Sequence, residues 1–113
     1  MNDTVENTDI VQEMIDTIVP LASPDQIILF GSRGRDAARE TSDVDLIVVV
    51  HENFGPTRSR RQELVRLLRA LSRFAVPKDI LLFSRDEVAR WRGSLNHVIA
   101  RAIREGKVVY ERP

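Results

Sequence analysis

The chain has 113 residues, no Cys, and 17 basic against 17 acidic residues, so its formal net charge is zero. The length predicts a single domain over residues 1–113, the lack of Cys excludes disulfides, thiol nucleophiles and Cys-ligated metal sites, and the zero net charge argues against nucleic acid as a direct partner. The N-terminal segment lacks a signal-peptide pattern and no apolar run reaches the ~20 residues that span a bilayer, so we expect a cytoplasmic protein with no membrane partner.

The zero net charge hides an asymmetry along the chain. Residues 1–55 contain eleven acids and three Arg, a net of −8, whereas residues 56–113 contain fourteen basic residues and six acids, a net of +8. Fifteen of the 17 basic residues are Arg, which binds carboxylates and phosphates in a bidentate way. Two interpretations stay open: the halves pair with each other within one fold, or the basic half forms a face that meets a nucleotide, RNA or an acidic partner.

A helix and two strands are predicted in the first half. Apolar residues at helical spacing indicate a helix over residues 5–19, which Pro20 and Pro24 are expected to end. The apolar run Gln26–Phe30 predicts a short buried strand. Asp43–Val50, with the sequence DVDLIVVV, is apolar on both faces beyond its two Asp residues, which is typical of a central strand covered on both sides.

The second half continues the alternation of helices and strands. Gly55-Pro56 predicts a turn, and residues 58–74 predict an amphipathic helix with Arg on its outer face. Asp79–Phe83 predicts another short strand, and Ser84-x-x-Glu87 is a capping box that opens a helix. The remaining signals are a helix interruption at Gly93-Ser94, a helix stop at Gly106 and a final edge strand at Lys107–Tyr110. This order predicts an α/β (α+β) domain with helices packed on a short mixed sheet.

A Gly-Ser pair stands where the first strand gives way to a short helix predicted over residues 33–40. In Gly31-Ser32, the Gly permits a tight turn and close backbone approach. The unpaired N–H groups at the start of the helix favour a phosphate. Alone, such a pair is more often a plain helix cap than a phosphate site.

Acidic residues stand at the beginning of the next two strands. Asp43 and Asp45 are two residues apart, so on a strand they project to the same side. Like charges so placed repel each other, and a divalent cation such as Mg²⁺ relieves this repulsion. Asp79 opens the following strand. Each of these acids could also be a solvated residue at the start of a strand. They indicate a functional site only if the fold brings them close together.

One strand arrangement brings these features together. If the first strand runs antiparallel to the second, and the third runs parallel to the second, then Gly31-Ser32, the two Asp residues of the second strand and Asp79 meet at one edge of the sheet. The helix over residues 58–74 supplies the crossover that a parallel pair requires. A phosphate cradle beside three carboxylates is what a two-metal phosphoryl or nucleotidyl transfer site needs.

The combined motif resembles a known enzyme family. Gly31-Ser32, ten intervening residues and Asp43-Val44-Asp45 resemble the signature of the DNA-polymerase-β-type nucleotidyltransferases. The line ILFGSRGRDAARETSDVDLIVVV is most similar to their smallest branch, the minimal nucleotidyltransferases (MNT), and the ending IREGKVVYE resembles the tail of these domains. The resemblance covers about Ile27 to Glu111 and implies a single domain with the fold of the polymerase-β palm.

The resemblance implies a role for each matching residue. Gly31 and Ser32 would hold the terminal phosphates of the nucleotide, with Arg33 and Arg35 as candidate phosphate contacts. Asp43 and Asp45 would ligate two Mg²⁺ ions. By its place at the head of the next strand, Asp79 matches the third carboxylate, which would bind the catalytic metal and help to deprotonate the acceptor hydroxyl.

The resemblance also implies an activity and a partner. Stand-alone domains of this branch are typically antitoxins that transfer AMP from ATP to a tyrosine of an all-helical HEPN ribonuclease toxin. We therefore expect a nucleoside triphosphate and a HEPN-type toxin as partners, in a homo- or hetero-oligomer. Two alternatives stay open: a non-catalytic antitoxin that acts by occlusion, and nucleotidyl transfer to a small molecule or RNA through a separate acceptor-binding subunit.

Overall fold

A computed structural model gives the fold, and it describes residues 3–31, 43–94 and 98–113. Within these ranges the helices and strands alternate as the sequence predicts. In chain order they are α1 (Asp3–Ala22), β1 (Gln26–Phe30), β2 (Val44–Val50), α2 (Arg60–Leu71), β3 (Lys78–Ser84), α3 (Arg85–Trp91), α4 (Val98–Glu105) and β4 (Lys107–Glu111). The predicted helix over residues 33–40 lies outside the described residues.

The four strands form one mixed sheet in the order β3-β2-β1-β4. β1 is antiparallel to both β2 and β4, whereas β2 and β3 are parallel. The helix α2 lies between β2 and β3 in the chain and makes the crossover that their parallel pairing requires. The strand directions predicted from the sequence are therefore confirmed, as is the α+β class.

Helices cover both faces of the sheet. On one face, α1 and α2 bury residues such as Met14, Ile18 and Leu67 against the alternate residues of β2 that begin with Val44. On the other face, α3 and α4 bury residues such as Ile99 against Ile28, Ile47 and Val49. Because both faces are covered, β2 is apolar on both sides, which explains why it carries the strongest strand signal in the sequence.

The prediction that Pro20 ends the first helix after residue 19 is wrong by three residues, because α1 continues to Ala22. Pro has no N–H to donate to the carbonyl of Asp16, but its fixed φ is compatible with a helix, and only one bond is lost this close to the end. The helix stops at Ser23, which adopts a left-handed φ of 45° and donates its N–H to Val19 O at 2.9 Å.

Two side-chain caps set helix starts in the second half. Ser59 caps α2 by accepting from the N–H of Gln62 at 3.1 Å, which makes this helix shorter than the predicted 58–74. The capping box predicted at Ser84 and Glu87 is confirmed, with both of its hydrogen bonds present at the start of α3. Across the three described ranges, no helix is both long enough and apolar enough to cross a membrane.

Candidate active site

Three strand ends meet at one edge of the sheet, and each carries a residue that the sequence singled out. Phe30 lies opposite Asp45 in the antiparallel β1–β2 pair, and Asp45 lies opposite Asp79 in the parallel β2–β3 pair. Gly31 directly follows β1, and Asp43 directly precedes β2. We call the group of Gly31, Asp43, Asp45 and Asp79 the carboxylate edge.

The carboxylates of this edge project from one face of the sheet. Val44 and Leu46 pack into the core under α1 and α2, so the alternation of the strand turns Asp45 to the opposite face. Asp79 shares that face, because residues directly opposite each other in neighbouring strands point to the same side. The same alternation puts Asp43 on this side, so the three acids share one surface.

Burial and charge act together on Asp45. Its side chain is half-buried, whereas Asp43 and Asp79 are exposed. Burial raises the pKa of Asp45 above its ordinary value, and the negative charges of Asp79 and Asp43 raise it further. The three carboxylates are therefore close enough to interact electrostatically, as expected of a site that receives cationic or metal-bound ligands.

Gly31 leaves room for the carboxylate of Asp45. Its φ of +69° lies in the left-handed region that favours Gly. A Cβ atom at this position would collide with Asp45 Oδ2 and lie 3.3 Å from Asp45 Cγ. The Gly of the predicted phosphate cradle is thus also the residue that allows the chain to pass beside the central carboxylate.

The carboxylate oxygens at this edge suit a Mg²⁺ ion that is also bound by the phosphates of a nucleotide. Within the described residues, no group of three His, Cys, Asp or Glu side chains is arranged to hold a metal ion by itself. Mg²⁺ usually takes one or two carboxylates and completes its octahedral shell with water and substrate phosphates. The oxygen donors of Asp43, Asp45 and Asp79 fit that pattern, in which the nucleotide brings part of the metal's ligand shell.

Other predicted contacts fall outside the described part of the chain. Ser32, Arg33 and Arg35 belong to the segment 32–42, for which the structure gives no description. Their roles in binding phosphate stay predictions. Of the predicted cradle, the structure describes Gly31, which lies against the carboxylate of Asp45.

A charged cluster at the opposite end of the sheet was not expected from the sequence. Asp25, just before β1, has carboxylate oxygens 3.4 Å from Arg85 Nε, 3.5 Å from Arg112 Nη1 and 3.6 Å from His51 Nδ1. The buried Asp25 Oδ2 accepts no hydrogen bond from the described residues. These partners are distant in sequence, so no local pattern reveals the cluster, and its position indicates that it ties strand ends together.

Solved structures of other proteins share this fold. A solved structure described as a "putative nucleotidyltransferase" from Sulfolobus solfataricus superimposes with a TM-score of 0.57 at 18% identity and covers 96% of this chain and 83% of that one. A structure described as a "toxin-antitoxin with AMP-PNP" superimposes with a TM-score of 0.53 at 19% identity and covers 89% of this chain and 73% of that one. At these identities the two structures show a shared fold.

Sequence comparisons point to the same family. A Methanocaldococcus jannaschii protein named "Putative protein adenylyltransferase MJ0141" is 38% identical over 58 residues. The matched segment spans 51% of this chain and about half, 54%, of that relative. The family described as polymerase beta nucleotidyltransferase matches residues 12–113, which include the whole carboxylate edge. The chain therefore belongs to the polymerase beta nucleotidyltransferase family.

Proposed function

We propose that this chain transfers AMP from ATP to a tyrosine hydroxyl of a partner protein, and that it does so as the antitoxin of a HEPN–MNT pair. The observation that carries the proposal is the register that sets Asp45 opposite Asp79, with Gly31 against the carboxylate of Asp45. Family membership supports the reaction class. The name of the Methanocaldococcus jannaschii relative supports a protein acceptor, and the fold shared with a toxin–antitoxin structure supports a toxin partner.

In this proposal the exposed carboxylate of Asp79 receives the proton of the acceptor. The acceptor oxygen forms a bond to the α-phosphorus of ATP, the bond from that phosphorus to the pyrophosphate oxygen breaks, and the hydroxyl proton passes to Asp79. The products are the AMP ester of the acceptor and pyrophosphate. Asp79 suits this role because it lies at the open start of β3 and is exposed, so an acceptor can approach it.

Asp43 and Asp45 prepare the site for the triphosphate. Their charges, together with that of Asp79, would hold Mg²⁺, which supplies charge neutralisation of the phosphates and of the leaving pyrophosphate. Gly31 keeps the backbone clear of Asp45, and the segment that follows it would hold the terminal phosphates. The half-burial of Asp45 strengthens its interaction with a cationic ligand, because less water screens it.

A labelling experiment tests the reaction and the acceptor together. The purified chain is incubated with Mg²⁺ and ATP labelled at the α-phosphate, with and without lysate of its own host. Wild type is compared with Asp43→Asn/Asp45→Asn and with Asp16→Asn, a matched control because Asp16 is exposed on α1, away from the carboxylate edge. We expect a labelled protein band with wild type and the control, and none with the double variant or without Mg²⁺.

Other outcomes of this experiment have distinct meanings. Label on RNA or on a small molecule, with no labelled protein, would contradict the protein acceptor and leave nucleotidyl transfer intact. Complete absence of label, from a folded chain that still silences its toxin, would favour an antitoxin that acts by occlusion. Mapping the labelled band by mass spectrometry identifies the acceptor, and a site other than tyrosine would correct that part of the proposal.

A further inference from the structure

The outer face of α2 carries positive charge that has no ion-pair partner among the residues that the structure describes. Asp25 forms ion pairs with Arg85 and Arg112. Among the described residues, it is the acid of the first half that pairs with Arg residues of the second half. The guanidinium groups of Arg61 and Arg69 form no hydrogen bond or ion pair with any residue that the structure describes. Of the two interpretations of the charge asymmetry, these contacts favour a basic face that meets a partner.

Other Arg side chains of this region are already used inside the fold. Arg58 pairs with Glu63 at 2.6 Å, and Arg60 pairs with Glu87 at 2.6 Å. Arg66 and Arg73 reach back to α1, where they donate to Leu21 O at 2.9 Å and to Thr17 Oγ1 at 3.1 Å. The contrast singles out Arg61 and Arg69 as cations that point away from the molecule.

Two exposed aliphatic side chains lie between these cations. Val65 is 38% exposed and Leu68 is 39% exposed, and they are two of the three large apolar residues that are exposed in the described ranges. At spacings of three and four residues, Arg61, Val65, Leu68 and Arg69 share one side of the helix. We call these four residues the α2 face. A surface depression of about 620 Å³ beside Leu68 is lined by the other three residues of the face together with Ser59, Gln62 and Arg66.

The chemistry of the α2 face suits a protein better than a nucleic acid. Apolar side chains flanked by Arg are typical of protein interfaces, where Arg is enriched. Phosphate contacts need cations but not aliphatic groups, and single-stranded nucleic acids stack on aromatic side chains, which the α2 face lacks. A partner that matches the α2 face has two carboxylates spaced like Arg61 and Arg69, about two helical turns apart, with apolar side chains between them. An acidic amphipathic helix has this pattern.

The α2 face and the carboxylates lie on opposite faces of the sheet, but α2 ends near the edge where β2 and β3 begin. α2 ends at Leu71, and residues 72–77 lead directly to β3, which carries Asp79 near its start. The 12 residues of α2 span about 18 Å. A partner held along this helix reaches the carboxylate edge by extending past the end of α2 and around the end of the sheet where Asp79 is exposed.

From this arrangement we infer that the α2 face binds an acidic amphipathic helix of the acceptor protein. That the bound protein is the acceptor rests on the proposed function; the binding chemistry rests on the four residues of the face. In this role, Arg61 and Arg69 pair with carboxylates while Val65 and Leu68 are buried against apolar side chains. To present its hydroxyl to the carboxylate edge, the docked partner extends around the start of β3 to the opposite face of the sheet.

Binding is tested by NMR with a defined probe and no ATP or Mg²⁺. The probe is a synthetic Ala-rich helical peptide with Glu on both flanks of a Leu stripe, compared with a scrambled peptide of the same composition and with a short single-stranded RNA. We expect the helical peptide to shift amide signals of α2 selectively. Arg61→Ser/Arg69→Ser and Leu68→Ser should each weaken its binding about tenfold, because each removes one component of the face.

A charge-matched control separates the α2 face from general attraction. Arg90→Ser/Arg101→Ser removes the same charge from exposed positions on α3 and α4, and we expect it to leave the affinity within about twofold. Equal binding of the scrambled peptide, stronger shifts with RNA, or no shift of α2 signals at millimolar peptide would overturn the inference. Self-association of the chain through α2, seen by sedimentation of the chain alone, would assign the face to a second copy instead.

The experiment also separates this inference from the proposed function. Asp43→Asn/Asp45→Asn should bind the peptide as wild type does, since neither Asp belongs to α2. If the labelling experiment finds no protein acceptor while the helical peptide binds α2 selectively, the surface stands and its assignment to an acceptor is wrong. If transfer to a protein occurs and the α2 variants bind the peptide unchanged, the α2 inference is wrong by itself.

Discussion

At Asp45, burial and two neighbouring carboxylates act on the same side chain. Its pKa is raised because folding disfavours the charged form, so the ionised carboxylate opposes folding once the pH exceeds its ordinary range. For a group with a raised acid pKa, stability falls as pH rises through the interval from the unfolded to the folded pKa.

We therefore predict opposite effects of Asp45→Asn on stability and on activity. The substitution removes the charge, so the free energy of unfolding at pH 7 should rise by about 0.5 kcal/mol, the size expected for partly solvated charges. Nucleotidyl transfer should be lost. Urea denaturation of wild type, Asp45→Asn and the surface control Asp16→Asn measures the first effect. A clear loss of stability in Asp45→Asn would show that the carboxylate has a structural partner instead.

Gly31 gives a second prediction at the residue scale. Gly31→Ala must adopt a left-handed φ, at a cost of about 1–2 kcal/mol, and its Cβ must displace the carboxylate of Asp45. We expect a moderate fall in thermal stability and a large fall in transfer. Gly93→Ala is the matched control, because no atom of the described residues beyond its chain neighbours lies within 4 Å of its Cβ position. Full activity of Gly31→Ala would contradict the role of this close approach.

At the scale of elements, Arg60 joins three parts of the fold. Its guanidinium donates to Glu87 of the α3 capping box at 2.6 and 3.0 Å, and to Leu82 O on the outer side of β3 at 2.9 Å. It also lies 4.7 Å from the ring centre of Phe54. One residue at the start of α2 thus secures the edge strand that carries Asp79.

The pKa of Glu87 gives this contact a pH dependence. Burial by itself raises that pKa, but hydrogen bonds from Arg60 and Ser84 and the charge of Arg60 outweigh it, and the net pKa is lowered. A lowered acid pKa contributes stability above the ordinary pKa of 4.5 that the unfolded chain has, and that contribution is lost as pH falls through the folded value.

Glu87→Gln tests this contact because it keeps the capping box and removes the charge. The free energy of unfolding at pH 7 should fall by about 1 kcal/mol, a figure reduced for solvent screening because Arg60 is 38% exposed. The difference between wild type and variant should shrink as pH falls below the ordinary pKa of 4.5 and through the lowered pKa of the folded chain, where the wild-type carboxyl becomes protonated. A difference that stays constant with pH would show that shape and not charge is responsible.

At the scale of the whole molecule, the carboxylate edge depends on β1, β2 and β3 together. Each strand contributes a residue, and a ligand that binds all of them links segments from Gly31 to Asp79. Such a ligand stabilises the folded chain in proportion to the logarithm of its concentration over Kd. Ligand-induced stabilisation is therefore a direct measure of whether the edge works as one site.

We predict that Mg²⁺ and a non-hydrolysable ATP analogue raise Tm together more than the sum of their separate effects. At about 100 times Kd the gain is about 2.7 kcal/mol, which corresponds to roughly 10 °C for a chain of this size. Asp43→Asn/Asp45→Asn should abolish the joint effect, while Asp16→Asn should retain it. Equal shifts in all three proteins would mean that the nucleotide binds elsewhere.

Local patterns in the sequence were enough to predict the elements and the candidate site, because strand runs, caps and the GS-to-DxD spacing each involve residues close together in the chain. Gln26–Phe30 and the capping box at Ser84 are confirmed, whereas Pro20 misled because a Pro near a helix end breaks only one bond. The order and directions of the strands were enough to expect Asp45 and Asp79 at one edge of the sheet, and the structure gives their register. The contacts of Asp25 and the exposure of Val65 on α2 were not predicted, because they depend on residues far apart in the chain. Such contacts follow from sheet register and helix packing, which no local pattern encodes.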